Sequence, residues 1–337
     1  MKLHARRKRT LKRRRLKIED LENRRVLAVG AGVISVTTLS DVVDPNDGVV
    51  SLREAIEEAN ADIAASEIVF APDLTANGPA TITLSGTQLP ISSNLTIVGA
   101  GDDLLTIDAA GLSRIFIVDD LDNNSHIDVF LSGLTLTGGV AGGGFSGVGF
   151  GAGDGGAIIS RENLTIEDSS IVNNFASRAA GGILQIEGTL NITDSLVSQN
   201  TAIADGGGIF NGQLSGNTFS TVNLLRTTVS LNSAGGNGGG IANEVANRVV
   251  NVIDSLIIDN TAGDDGGGIY TGFSADLQVN NSTISGNTAS SEGGGIGNAY
   301  GGTITIEDSV ISSNTGCLLY TSPSPRDQRG PRMPSSA

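Results

Sequence analysis

Short apolar and polar runs alternate along most of this chain, and they recur in register. Aligned on one asparagine (Asn174, Asn200, Asn232, Asn260, Asn287, Asn314), successive units are 26, 32, 28, 27 and 27 residues long. Ten residues before each asparagine stand Leu164, Leu190, Val222, Val250, Leu277 and Ile304; eight before stand Ile166, Ile192, Leu224, Val252, Val279 and Ile306. A Ser or Thr lies five before and an Ile or Val three before, while Ala176, Ala202, Ala234, Ala262 and Ala289 lie two after. A glycine cluster ahead of an apolar residue marks each unit, as in 206–209, 238–241 and 266–269. A spacing of two is strand alternation. Glycine and β-branched residues disfavour helix.

The pattern therefore predicts an all-β right-handed parallel β-helix, one coil per unit. Three short strands are expected per coil: Gly-Gly-Gly-Ile, Leu-x-Ile and Ser-x-Ile-x-x-Asn. Inward Ile, Leu and Val form one aliphatic core, each burial stabilising by roughly 1.5–3 kcal/mol. The asparagines are expected to stack as a structural ladder, because Asn tolerates left-handed backbone and its amide reaches the next coil about 4.8 Å away. Less regular strand-like runs at 81–84, 95–98, 104–107, 115–118, 127–131 and 134–136 bring the total to about nine coils over residues 80–316.

Residues 36–79 differ. Ser51 is followed three residues later by Glu54, a capping-box pair, and Leu52, Ala55, Ile56 and Ala59 share one helical face. A short helix is expected to cap the solenoid and hide its strand edges. Arg53 and Glu54 are expected in a helix-surface or cap salt bridge. The stretch 36–41, the run 47–60 and Ile68-Val69-Phe70 resemble the "C-S-L-R-E-A-I-x-x-A-N" module that precedes parallel β-helices in bacterial secreted and surface proteins. Val50 stands where that module carries Cys, so no role of that thiol carries over.

Composition narrows the class. Of 337 residues, 47 are Gly and 8 Pro, with no collagen period, and 39% are hydrophobic, enough for a core. The net charge of −15 is unevenly placed. Residues 1–25 hold 12 Lys and Arg against three acids, whereas residues 26–316 hold six Arg against 32 acids. An acidic body repels phosphate backbones, so no nucleic-acid partner is expected. The basic head and residues 15–28 resemble the "R-L-x-L-E-x-L-E-x-R-x-L-L-A" segment at the start of planctomycete extracellular proteins. The resemblance implies that residues 1–35 are an export segment, with Val26–Val36 as its apolar part. Residues 317–337 hold four prolines and the single cysteine. They resemble a translated sequencing adaptor at the end of an assembled environmental sequence, which implies a disordered artefactual tail and a native chain continuing past Gly316.

Candidate chemistry is sparse. Asp168, Asp194, Asp254 and Asp308 stand six before the ladder asparagine, with Arg226 and Asn281 at that position in other coils. They predict an acidic column, a weak calcium candidate. Asp119, Asp120 and Asp122 form a second candidate patch. Calcium is the one cofactor considered. The basic side chains expected to face this region are Arg161, Arg178, Arg226 and Arg248. His126 is the sole histidine of the body and no nucleophile signature accompanies it, so no catalytic residue is named. The expected function is a secreted or cell-surface (outer-membrane) adhesin-like or structural scaffold, part of a longer protein, more a binder than an enzyme. The alternative is a polysaccharide lyase or glycoside hydrolase, as in parallel β-helix families such as pectate lyases and polygalacturonases. The expected partner is an extracellular polysaccharide or surface ligand. Membrane contact would come only through an anchor or barrel beyond residue 316.

Overall fold

The computed structural model describes residues 32–317, apart from 63, 123–124, 143–152, 213–218, 245 and 300. Residues 1–31 of the segment expected to serve export, the adaptor-like tail from residue 318 and most of the glycine-rich stretch 138–153 lie outside the described residues. Four parallel sheets of ten, nine, eight and seven strands wind into one parallel β-helix. The coil count agrees with the nine-stranded sheet, which runs from Ala80–Thr83 to Val310–Ser312. No described helix is long and apolar enough to cross a membrane.

One coil shows the plan. Gly188–Thr193 lies in the ten-stranded sheet, Leu196–Ser198 in the nine-stranded, Thr201–Ala202 in the seven-stranded and Ile209–Asn211 in the eight-stranded sheet. Three strands per coil were expected; the fourth is the two-residue segment after the ladder asparagine. Two residues cannot display an alternation, so the pattern gave no sign of it. The predicted inward positions pair in register, Leu190 with Leu164 and Val222, Ile192 with Ile166 and Leu224, and all are fully buried.

Each ladder asparagine joins two coils. Asn174, Asn200, Asn232, Asn260 and Asn287 each donate backbone N–H and side-chain N–H to the Oδ1 of the next asparagine, at 2.9–3.1 Å. The Ser/Thr column does similar work: the N–H groups of Thr227 and Ser255 donate to the Oγ of Ser255 and Ser282, both at 3.0 Å.

The one α-helix among the described residues, Leu52–Ala61, packs against the first strands and closes the N-terminal end of the core. Its capping box is formed, with Glu54 N–H on Ser51 Oγ and Ser51 N–H on Glu54 Oε2. Leu52, Ala55, Ile56 and Ala59 are fully buried. Arg53 is buried with them, in a two-pronged ion pair with Asp41 (3.0 and 2.7 Å) and bonds to the carbonyls of Thr87 and Gln88. Asn60 ties the other end of the helix to Pro90 O and Ser92 N. The first strand, Val33–Val36, starts three residues before the boundary expected at 36 and pairs with Glu67–Phe70.

Candidate functional sites

The predicted acidic column exists, but it is partly neutralised from within. Asp168, Asp194, Arg226, Asp254, Asn281 and Asp308 all adopt left-handed backbone, φ between 47° and 51°. Arg226 grips Asp194 through two 2.6 Å contacts, which hold the Asp194 carboxyl below its usual range. Asn281 donates to Asp254. Of the four arginines expected here, only Arg226 is placed in the column. Arg178 pairs with Asp154 at 3.3 Å, Arg161 approaches Glu187 at 3.9 Å, and Arg248 is buried.

The second patch is rearranged. Asp119, Asp120 and Glu162, a residue the sequence did not single out, bring carboxylate oxygens within 4.8 Å of one another. Asp122 stands outside that group, its N–H donating to Asp120 Oδ1 at 2.7 Å. Glu162 accepts from the N–H groups of Asp120 and Ile127 and lies 3.3 Å from His126 Nδ1. Burial raises its pKa. Asp119 Oδ1 caps its own turn through Leu121 N–H, whereas Oδ2 is buried without a hydrogen-bond partner. These are the oxygens a divalent cation would take.

A different site emerges where the eight-stranded sheet faces outward. The first residue of each strand there (Ile158, Ile183, Ile209, Ile241, Ile269, Ile296) joins the main core. The second points the other way. Ile159, Leu184, Phe210 and Ala242 form a separate buried apolar cluster outside the solenoid, with Ala180 and Ile186. It is roofed by the glycine turns: a Cβ at Gly206 would fall 2.8 Å from Phe210 Cβ, and one at Gly238 2.7 Å from Ala242 Cβ. Beyond Ala242 this strip opens into a cleft of about 430 Å³. Tyr270, the next residue of the strip, lines it and is buried. Asn237, Asp264 and Asp265 line it from the coil turns before the strands, Ser291 from the end of the strand Thr288–Glu292, and Glu244 and Phe273 from the corners after the strands.

A second ladder builds the turn wall. It lies five residues after the asparagine ladder, at 179, 205, 237, 265 and 292, and begins at Asp154. Oδ1 of Asp154, Asp205, Asn237 and Asp265 accepts the N–H of Ala179, Asn237, Asp265 and Glu292 respectively, at 3.1, 2.7, 3.1 and 2.8 Å. Its polarity is opposite to the first: here the earlier coil accepts and the later coil donates. The sequence signal was an Asp, Asn or Glu directly before the glycine cluster.

The cleft's electrostatics are unusual. Glu244 is 9% exposed and accepts from Asn237 Nδ2 at 3.4 Å. Burial, then the neighbouring Asp205 carboxylate, pushes Glu244 up to about 7. Asp205 is itself raised, by burial and by Asp264. Phe273 is 54% exposed and held with φ 49°, followed by Ser274 at 64°. Two successive non-glycine residues in left-handed conformation carry strain of order 1–3 kcal/mol each. A smaller-scale relief, about 400 Å³, lies on the outer face of the ten-stranded sheet beside Thr96, Asp128, Phe130 and Thr165.

No protein-family model and no curated protein sequence matches the chain. Among solved structures it is similar to the A-module of the Azotobacter vinelandii mannuronan C-5 epimerase AlgE6, at 15% identity over 85% of this chain and 94% of that one, TM-score 0.38. The A-module of AlgE4 from the same organism gives 14% identity, 85% and 96% coverage, TM-score 0.32. ORF18 of Geobacillus virus E2 gives 14%, 84% and 62%, TM-score 0.35. Likeness at this level assigns no activity; the fold rests on the strand pairing above.

Proposed function

We propose that this chain is a secreted or surface-displayed β-helix scaffold that binds an extracellular polysaccharide through the Glu244–Phe273 cleft. The observation that carries this is the display of Phe273. An exposed aromatic ring on strained backbone, beside a buried Tyr and a set of carboxyl, amide and hydroxyl groups, fits the apolar face and hydroxyl rim of a sugar ring. The basic head and the Ser51–Asn60 module, through the resemblances they carry, support export. A rigid rod supports a presenting role, since the coils around the cleft are fixed to their neighbours by two ladders, Asn232–Asn260–Asn287 and Asp205–Asn237–Asp265–Glu292.

Affinity electrophoresis against a panel of soluble polysaccharides tests the reading. At least one polymer should retard the wild type, and Phe273→Ala should abolish that retardation. Equal retardation of both proteins overturns the assignment of the cleft.

A second reading is favoured by Glu244. A carboxyl held protonated close to neutrality is suited to donate a proton to a glycosidic oxygen. In that case the same polymers should yield new reducing ends, and Glu244→Gln should stop their release while leaving retardation intact. No release by the wild type overturns it.

A further inference from the structure

We propose that the Glu244–Phe273 cleft selects glycans built from amino sugars that carry free ammonium groups. This rests on the polysaccharide reading above and names the ligand class for the same cleft.

The argument is one of charge and shape together. Three carboxyl groups, Glu244, Asp264 and Asp265, line the cleft, and among the described residues no Lys or Arg does. The ladder that forms its wall continues with acids on both sides, Asp205 and Glu292. The same turn column does contain an arginine, Arg178, but it sits three coils before Asp264, linked through Ala204 and Gly236, and it is engaged with Asp154. A uronate would bring its carboxylate against those of Asp264 and Asp265 at short range, where a partly desolvated site screens poorly, while Glu244, raised to about 7, adds further negative charge only as it ionises. An ammonium group meets acceptors instead, and the face of the exposed Phe273 ring adds cation–π attraction. Asn237 and Ser291 supply neutral polar contacts for ring hydroxyls. Asp264 is exposed on the rim, placed to meet a cation first, whereas Glu244 is buried.

Calorimetric titration with chitosan oligomers, their fully N-acetylated counterparts and oligogalacturonates of equal length tests this. The account predicts chitosan binding about tenfold or more tighter than the N-acetylated oligomer, a preference that shrinks as salt is raised, and no binding of the uronate. The double variant Asp264→Asn, Glu244→Gln should bring the ratio of the two affinities towards one while retaining N-acetylated binding, which also reports that the cleft is folded. Phe273→Ala should weaken both. Equal or tighter binding of the N-acetylated or uronate oligomer overturns the proposal, as does a preference that survives the double variant. Absence of binding by all three oligomers also overturns it. The broader reading then stands or falls separately, on whether any other polysaccharide retards the wild type but not Phe273→Ala.

Discussion

Oδ1 of Asn232 accepts two hydrogen bonds from one residue, the backbone N–H of Asn200 at 2.9 Å and its side-chain N–H at 3.0 Å. Asn232 in turn donates its own amide to Val197 O and to Asn260 Oδ1. Asn200, Asn232, Asn260 and Val197 are all buried. Asn232→Ala therefore strands donors of Asn200 and acceptors on Val197 and Asn260, at a cost on the order of 3 kcal/mol. Asn232→Asp keeps the acceptor but sets a carboxylate oxygen against those two acceptors. Both variants should lower the urea midpoint strongly at pH 7, with Asp no better than Ala.

The glycine clusters make a second prediction. A Cβ on Gly239 would lie 2.4 Å from Gly267 O and 2.5 Å from the Thr261 carbonyl carbon, backbone atoms of the next coil that cannot turn aside. Gly239→Ala should cost about 3 kcal/mol or more. Gly142→Ala, with nothing within 4 Å of its Cβ, should stay within about 0.5 kcal/mol of wild type. Thermal melts of the two variants separate close packing from loss of glycine as such.

At the N-terminal cap, Arg53→Ala leaves the Asp41 carboxylate buried with only Ser85 to bond it. A loss of about 3–5 kcal/mol is expected. Removing Asp41 as well should cost less than the sum of the two single changes, because the stranded charge is gone. Urea unfolding of the four proteins measures this coupling.

Glu244 gives the rod a pH dependence. Its folded pKa of about 7 lies above the ordinary 4.5, so the folded state holds this proton more tightly. The associated stability is fully present below about 4.5 and is lost as pH rises through about 7. The full shift corresponds to up to about 3 kcal/mol. Asp205, also raised, acts in the same direction. The melting temperature should fall between pH 5 and pH 8, and Glu244→Gln should flatten that fall. An unchanged slope in the variant would contradict the account of the site.

Much of the fold was legible because each coil repeats the same physical demand. An inward Ile or Leu must meet its counterpart one coil on, so Leu190 and Ile192 appear at fixed offsets from Asn200. The cap was legible through Ser51 and Glu54. The candidate site was not, for three reasons. The second ladder mixes Asp, Asn, Ala and Glu at one position, which reads as ordinary turn chemistry. Glu244 and Phe273 sit in corner loops that differ in length between coils, so no period marks them. Glu162 and Asp119 meet only because coils stack, although 43 positions separate them in the numbering. Asp168, Asp194, Asp254 and Asp308, by contrast, share one left-handed turn position per coil that the spacing marks, and Arg226 at the same position engages the Asp194 carboxylate directly.

The most direct test of the glycan-binding account compares the Glu244–Phe273 cleft with the relief beside Phe130 on the ten-stranded sheet. Hydroxyl-radical footprinting in the presence of a retarding polysaccharide reads Phe273 and Phe130 side by side. The account predicts that the polymer protects Phe273 several-fold and leaves Phe130 unchanged. Protection of Phe130 with Phe273 unchanged would contradict it.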